Sequence, residues 1–172
     1  MNPLLQSVAL RTWQYVAVLT VALWIGGFTF HTSVTLRVGG GIIGGLEQGY
    51  VTQAALGKLH WFAVAMIVAA VIDALIRFKT TAMKLCIVRG IGIQIMSVCV
   101  IALFRIHADM SAMMDPDAMT QPDKAAFAPL HERYQTCATI LWLCAMVELG
   151  MMIRAQAIQA PGMQRTEGKT EP

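Results

Sequence analysis

Four stretches of the chain, about residues 13–34, 59–76, 85–106 and 136–153, stay apolar for long enough to cross a membrane. The hydrocarbon core of a bilayer takes roughly 20 residues of α-helix to span. Lipid offers no water to backbone N–H and C=O groups, so a crossing segment must be a helix or a strand of a closed barrel. Barrel strands alternate apolar and polar residues, whereas these runs are continuous. The fold class expected is therefore all-α, an integral membrane bundle of four transmembrane helices. A hydrophobic content of 56% with only 13% charged residues excludes an ordinary soluble domain. Between Trp13 and Val34 there is no Asp, Glu, Lys or Arg. That run is longer than the core of a cleaved signal peptide, and Phe28-Thr29-Phe30-His31 offers no small-residue cleavage site, so it reads as a retained span.

Residues 1–160 are read as one four-helix transmembrane domain, and residues 161–172, polar and opened by Pro161-Gly162, as a disordered cytoplasmic tail. The net charge of +3 is distributed beside the spans and forms no basic stripe, which argues against nucleic acid as a partner. The partners expected are the lipid bilayer and other membrane proteins or further copies of the chain. Arg11, Arg77, Lys79, Lys84, Arg154, Arg165 and Lys169 fall on one side of the spans. The other side has Arg37, Lys58, Lys124 and Arg133 together with most of the acidic residues. The positive-inside rule then puts both termini in the cytoplasm of a cell with this protein in its inner (plasma) membrane. The outer connections are the long ones, Leu36 to Lys58 and His107 to Gln135, the second carrying the turn signals Asp115-Pro116-Asp117 and Gln121-Pro122-Asp123.

Cys86, Cys99, Cys137 and Cys144 have no C-x-x-C spacing and lie in or beside apolar runs, so they are read as buried packing residues. Gly39, Gly41 and Gly44 formally fit G-x-G-x-x-G. A dinucleotide site also needs a strand before the motif and a βαβ unit around it, and here a membrane span precedes it. A glycine loop outside the membrane is the simpler reading. Ala65 with Ala69, and Ala70 with Ala74, are small-x-x-x-small pairs that allow close helix approach.

Ionisable residues inside spans need partners. Asp73, Arg89 and Glu148 each lie near the cytoplasmic end of a span, and antiparallel helices bring them to similar depth. One reading is a proton- or ion-handling site. The other is a salt-bridged clasp between spans two, three and four, which their shallow position favours because no transported substrate is needed there. His31, His60, His107 and His131 all fall at the opposite end of the spans. Imidazoles ligate copper, zinc or haem iron, and Met110, Met113 and Met114 add thioethers suited to Cu(I). Histidines at helix ends are also ordinary hydrogen-bonding residues, and the stripe of each helix that carries them is not clearly polar. His60 and His131 are therefore expected nearer to each other, or to outer carboxylates, than to a centre of four histidines. No H-E-x-x-H motif and no G-x-S-x-G elbow is present.

Two stretches carry a family resemblance. Leu23-Trp24-Ile25-Gly26-Gly27-Phe28-Thr29-Phe30 runs into Gly44-Gly45-Leu46-Glu47-Gln48-Gly49-Tyr50-Val51-Thr52-Gln53, and Phe127-Ala128-Pro129-Leu130-His131-Glu132-Arg133-Tyr134 leads to Trp142. Together they resemble domain-of-unknown-function family 4149, small bacterial membrane proteins related to eukaryotic transmembrane protein 205. The resemblance implies four membrane helices and no established activity or catalytic residue. The function expected is a non-enzymatic transport, stress-response or accessory role without a cofactor. The alternative is copper or haem binding, for copper handling or electron transfer, through the outer histidines.

Overall fold

The computed structural model describes residues 3–78, 81–114 and 124–167, and among these there is no strand. Helix α1 (Pro3–Phe30) passes without a break into a π-helical turn (His31–Thr35) and then α2 (Leu36–Ile43). After these come α3 (Gly45–Arg77), α4 (Met83–Ala112) and α5 (Lys124–Glu167). Four helical rods are long and apolar enough to cross a membrane: Val8–Ile43, Glu47–Arg77, Met83–Ala112 and Ala125–Gln156. The protein is thus an all-α, multi-pass four-helix bundle.

The rods exceed the expected spans because helix continues where hydropathy falls. The connection from Leu36 to Lys58 is not a glycine loop. Leu36–Ile43 is helical, and α3 starts at Gly45, in a stretch rich in Leu, Ala and Gln that favours helix. The reversal is left to Gly44, at φ 95° and ψ 159°, a region that only glycine occupies comfortably. Its carbonyl accepts the Gln48 N–H at 3.1 Å, and Glu47 lies in the first turn, where the helix dipole favours an acid. Gly39 has its own reason: a Cβ there would collide with the Gln48 side-chain amide, so α2 rests on α3 through a glycine. Gly39, Gly41 and Gly44 therefore belong to a helical hairpin with no strand before it. At the other end of the chain, α5 passes Pro161 and runs to Glu167, further than the break expected at Pro161-Gly162. The turn motifs of residues 115–123 and the last residues, 168–172, lie outside the described residues.

Helix α1 packs on α3, α3 on α4, α4 on α5, and α5 returns to α1, with the most extensive contact between α4 and α5. The inward residues recur at alternating steps of three and four, the knobs-into-holes spacing of near-parallel helices. On α1 they are Gln14, Ala17, Val21 and Trp24; on α5 they are Tyr134, Ala138, Leu141, Ala145, Glu148 and Met152. On α3, Ala63, Met66, Ala70, Asp73 and Arg77 continue the same pattern. Alanines in these stripes let the backbones approach, which is what holds helices together where lipid is as apolar as the core. The pairing of Ala65 with Ala69 is not used as one face, since Ala65 is exposed. Cys86, Cys99, Cys137 and Cys144 are free thiols; Cys99 is in the core, with Cys137 and Cys144 packed against it.

Only 28–33% of the most apolar window of each rod is buried in the bundle. The remainder is a belt of exposed Leu, Ile, Val and Phe, including Leu19, Leu23, Phe62, Val98 and Leu143. Such an outward face fits lipid as its surroundings.

Replacing Gly44 by alanine forces the strained backbone region onto a residue with a Cβ, at a cost of about 1–3 kcal/mol. Gly41→Ala meets open space inside a helix and should stabilise by about 0.5–1 kcal/mol. Thermal unfolding of the two variants in detergent checks the hairpin: Gly44→Ala melts below the parent protein and Gly41→Ala does not.

Candidate functional site

Polar residues inside the bundle gather at its two ends. At one end Arg89 of α4 lies between α3 and α5. Its Nε donates to Glu148 Oε1 at 3.0 Å, and its Nη2 donates to Asp73 Oδ2 at 3.0 Å and also to Glu148 Oε1. Arg77, one turn after Asp73 on α3, donates from Nε to Asp73 Oδ1 at 2.9 Å. All four residues are at most 3% exposed. Two guanidiniums and two carboxylates make a neutral quartet, the arrangement that lets buried charge persist, because each ion has a partner and directed hydrogen bonds. The structure thus joins Asp73, Arg89 and Glu148. It adds Arg77, which the sequence reading had counted only among the basic residues that set the orientation. An i, i+4 pair with Asp73 was the signal for it. Glu148 Oε2 is buried without a hydrogen-bond partner among the described residues.

The other end holds the histidines, but not as a four-histidine centre. His60 is in the middle of α3 and 3% exposed. Its Nε2 is 2.8 Å from the Tyr134 hydroxyl, and its ring meets His107 edge-on at 5.1 Å and Phe104 at 5.1 Å. Among the described residues, His60 and His131 are thus paired neither with each other nor with a carboxylate. His131 is exposed, stacked on Phe127 and bonded at 2.9 Å to Gln135 one turn on. His60 meets Tyr134 and His107 because α3 begins far ahead of it, which buries that ring between α4 and α5 instead of leaving it at a helix start. Among the described residues no three His, Cys, Asp or Glu side chains are grouped to hold one ion.

Three of the histidines, His31, His107 and His131, do line one cavity of about 1300 Å³. Its floor is formed by Leu56 of α3, by His107, Met110 and Met114 at the end of α4, and by Ala138 of α5. Met113 is not part of the lining. One wall is the end of α1 and the π-helical turn, the other the first turns of α5. The π turn inserts a residue into the helical register, a local device common at functional sites, and it begins at His31. That ring is 6% exposed, and its Nε2 has no hydrogen-bond partner among the described residues. Among the described residues no Asp, Glu, Lys or Arg lines the cavity. Tyr134, held by His60, and Trp142, whose indole donates to Thr29 Oγ1 at 3.0 Å, also face it. Neither was singled out from the sequence as a site residue, although Tyr134 shares a helix face with His131 at i, i+3.

Along α5, His131 and Glu148 are 17 residues apart, or about 25 Å of helix. The cavity and the charge quartet are thus separated by an apolar layer that includes Met66, Met96 and Leu141. Compared with known proteins, the chain matches no family model, no curated protein and no solved structure.

Removing Arg89 strands Glu148 and leaves Asp73 with Arg77 alone, and breaking a buried pair in this way costs about 3–5 kcal/mol. Arg154 is exposed, and its replacement by alanine should stay within about 0.5 kcal/mol of the parent. Thermal unfolding in detergent should therefore place Arg89→Ala well below Arg154→Ala. Equal melting temperatures would remove the quartet as a stabilising feature.

Proposed function

We propose that this protein binds a small molecule in the cavity at its histidine end and acts without catalysis in transport, stress response or support of other membrane proteins. The observation that carries this reading is the cavity itself. It is large, bounded by all four rods and, among the described residues, lined by no Asp, Glu, Lys or Arg, the composition of a binding pocket in which a few polar groups orient a mostly apolar ligand. Three of its threonine hydroxyls are engaged structurally: Thr29 accepts from Trp142, Thr32 donates to the Phe28 carbonyl and Thr139 to the Gln135 carbonyl.

Copper or haem binding is the second reading. One observation favours it: His31, His107 and His131 share their cavity with the thioethers of Met110 and Met114. Metal analysis and the visible spectrum of purified protein separate the two. Stoichiometric copper or a haem absorption band would put the second reading first.

The basic residues around the quartet end support an inner-membrane orientation with both termini in the cytoplasm. A reporter fused after Arg165 should be cytoplasmic and one inserted beside Pro122 external; the reverse pattern overturns this orientation.

For the binding role, organic extraction of purified protein followed by mass spectrometry should recover a molecule at near-stoichiometric amount. Ala138→Trp, which projects an indole into the cavity, should lose it. Identical extracts from parent and variant would contradict the proposal.

A further inference from the structure

The chemistry of the cavity narrows its occupant. Among the described residues the walls carry no Asp, Glu, Lys or Arg, so an ammonium meets no carboxylate there and a carboxylate or phosphate meets no permanent cation, only imidazoles. Burying an unpaired charge is prohibitively costly. The lining is instead rich in rings: Phe28, Phe127, Tyr134 and Trp142 beside the histidines. Flat π-systems stack on such surfaces, and the Met110 and Met114 thioethers complement ring edges.

One buried polar atom in the wall is uncommitted. His31 Nε2 has no hydrogen-bond partner among the described residues, although the ring is 6% exposed and faces the cavity from the π turn. A buried imidazole left in this way costs about 1–3 kcal/mol until something bonds to it. A neutral imidazole protonated at Nε2 donates one hydrogen bond there, which a carbonyl oxygen on a ring accepts without bringing charge.

The route in is also visible. Residues on the two facing walls, Thr29 and Ser33 from the α1 side and Gln135 and Thr139 from α5, line the cavity and are exposed, whereas the floor residue Ala138 is buried. Just outside this rim are the exposed apolar side chains Phe30 and Val34 on one wall and Ile140 and Leu143 on the other. The exposed part of the lining thus lies on the facing sides of α1 and α5, which the Trp142–Thr29 hydrogen bond joins at one point.

We propose that the cavity binds a quinone-type ligand, a neutral carbonyl-bearing ring on an isoprenoid tail, which enters from the bilayer between α1 and α5 and hydrogen-bonds to His31. This rests on the cavity being a ligand site, as set out above, and assigns the class of ligand. The ring lies among the aromatic side chains, a carbonyl accepts from His31 Nε2, and the tail leaves through the apolar mouth into lipid. About 1300 Å³ is above the usual pocket range of roughly 300–1,000 Å³, room for a ring together with the first part of a tail.

The test is a titration of the full-length protein in lipid nanodiscs with decylubiquinone, a benzoquinone with a ten-carbon tail, read by quenching of tryptophan fluorescence. Palmitate and decanol serve as a charged and a ringless comparison. Decylubiquinone should bind saturably. His31→Leu should weaken it by about 10-fold, the worth of one buried hydrogen bond, and His31→Gln, which keeps a donor, should recover part of the loss. Ala138→Trp and Thr139→Trp should each abolish binding; the second alters an exposed rim residue, so a fold lost in the first does not decide the matter. Binding of palmitate or decanol blocked by these variants, without binding of the quinone, overturns the ligand class and leaves the cavity as a ligand site. No saturable binding of any of the three, with no molecule extracted from the purified protein, overturns both. Quinone binding unaffected by His31→Leu, Ala138→Trp and Thr139→Trp places the quinone elsewhere and also overturns the proposal.

Discussion

Arg89 ties three of the four rods together at a depth where water is scarce. Its guanidinium reaches Asp73 on α3 and Glu148 on α5 from its own position on α4, and Arg77 completes the charge balance. In a bilayer the hydrophobic effect does little to press helices together, because lipid tails are as apolar as the core. Directed contacts then decide which face of each helix points inward. A planar fork with fixed donor positions suits that role better than a flexible ammonium. The same stripes that carry the quartet carry the alanines of the core, Ala70 on α3 and Ala145 on α5. Register set by the charges is thereby register set for the close-packed section above them.

The opposite end has no such tie. There the end of α1 and the first turns of α5 form facing walls of the cavity, joined by the Trp142–Thr29 hydrogen bond, and the helix of α1 takes an extra residue in its π turn. His60 is the organising residue of this end without lining the cavity. It holds the Tyr134 hydroxyl and supports the His107 ring, both of which do line it. The bundle thus has one end closed by charge and one end with a cavity, with a layer of methionine, leucine and alanine between them.

Hydropathy made the number and kind of helices legible, since four continuous apolar runs admit one solution in lipid. It did not give their lengths, because helix persists through the amphipathic stretch from Gly45 to Lys58, where apolarity falls but helix-forming residues do not. Shared depth was enough to nominate Asp73, Arg89 and Glu148 together, for ionised groups inside lipid have few alternatives to one another. Arg77 was harder to place, as a basic residue at a helix end is equally at home in water. The histidines show the limit most clearly. Common depth does not fix direction around a helix, and a π turn shifts that direction by a residue with no mark in the sequence His31-Thr32-Ser33-Val34-Thr35. The cavity depends on the angle between α1 and α5, a property of packing that no local pattern encodes.

A double-mutant cycle on Arg89 and Glu148 tests the central claim most directly. Removing both with Arg89→Met and Glu148→Met leaves Asp73 paired with Arg77, so the double variant buries no stranded charge. Thermal or denaturant unfolding in detergent should show each single variant strongly destabilised. The double variant should then be more stable than the sum of the two losses by at least about 1.5 kcal/mol, within the coupling range of residues in direct contact. Losses that add within about 0.5 kcal/mol would mean that Arg89 does not hold the bundle through Glu148.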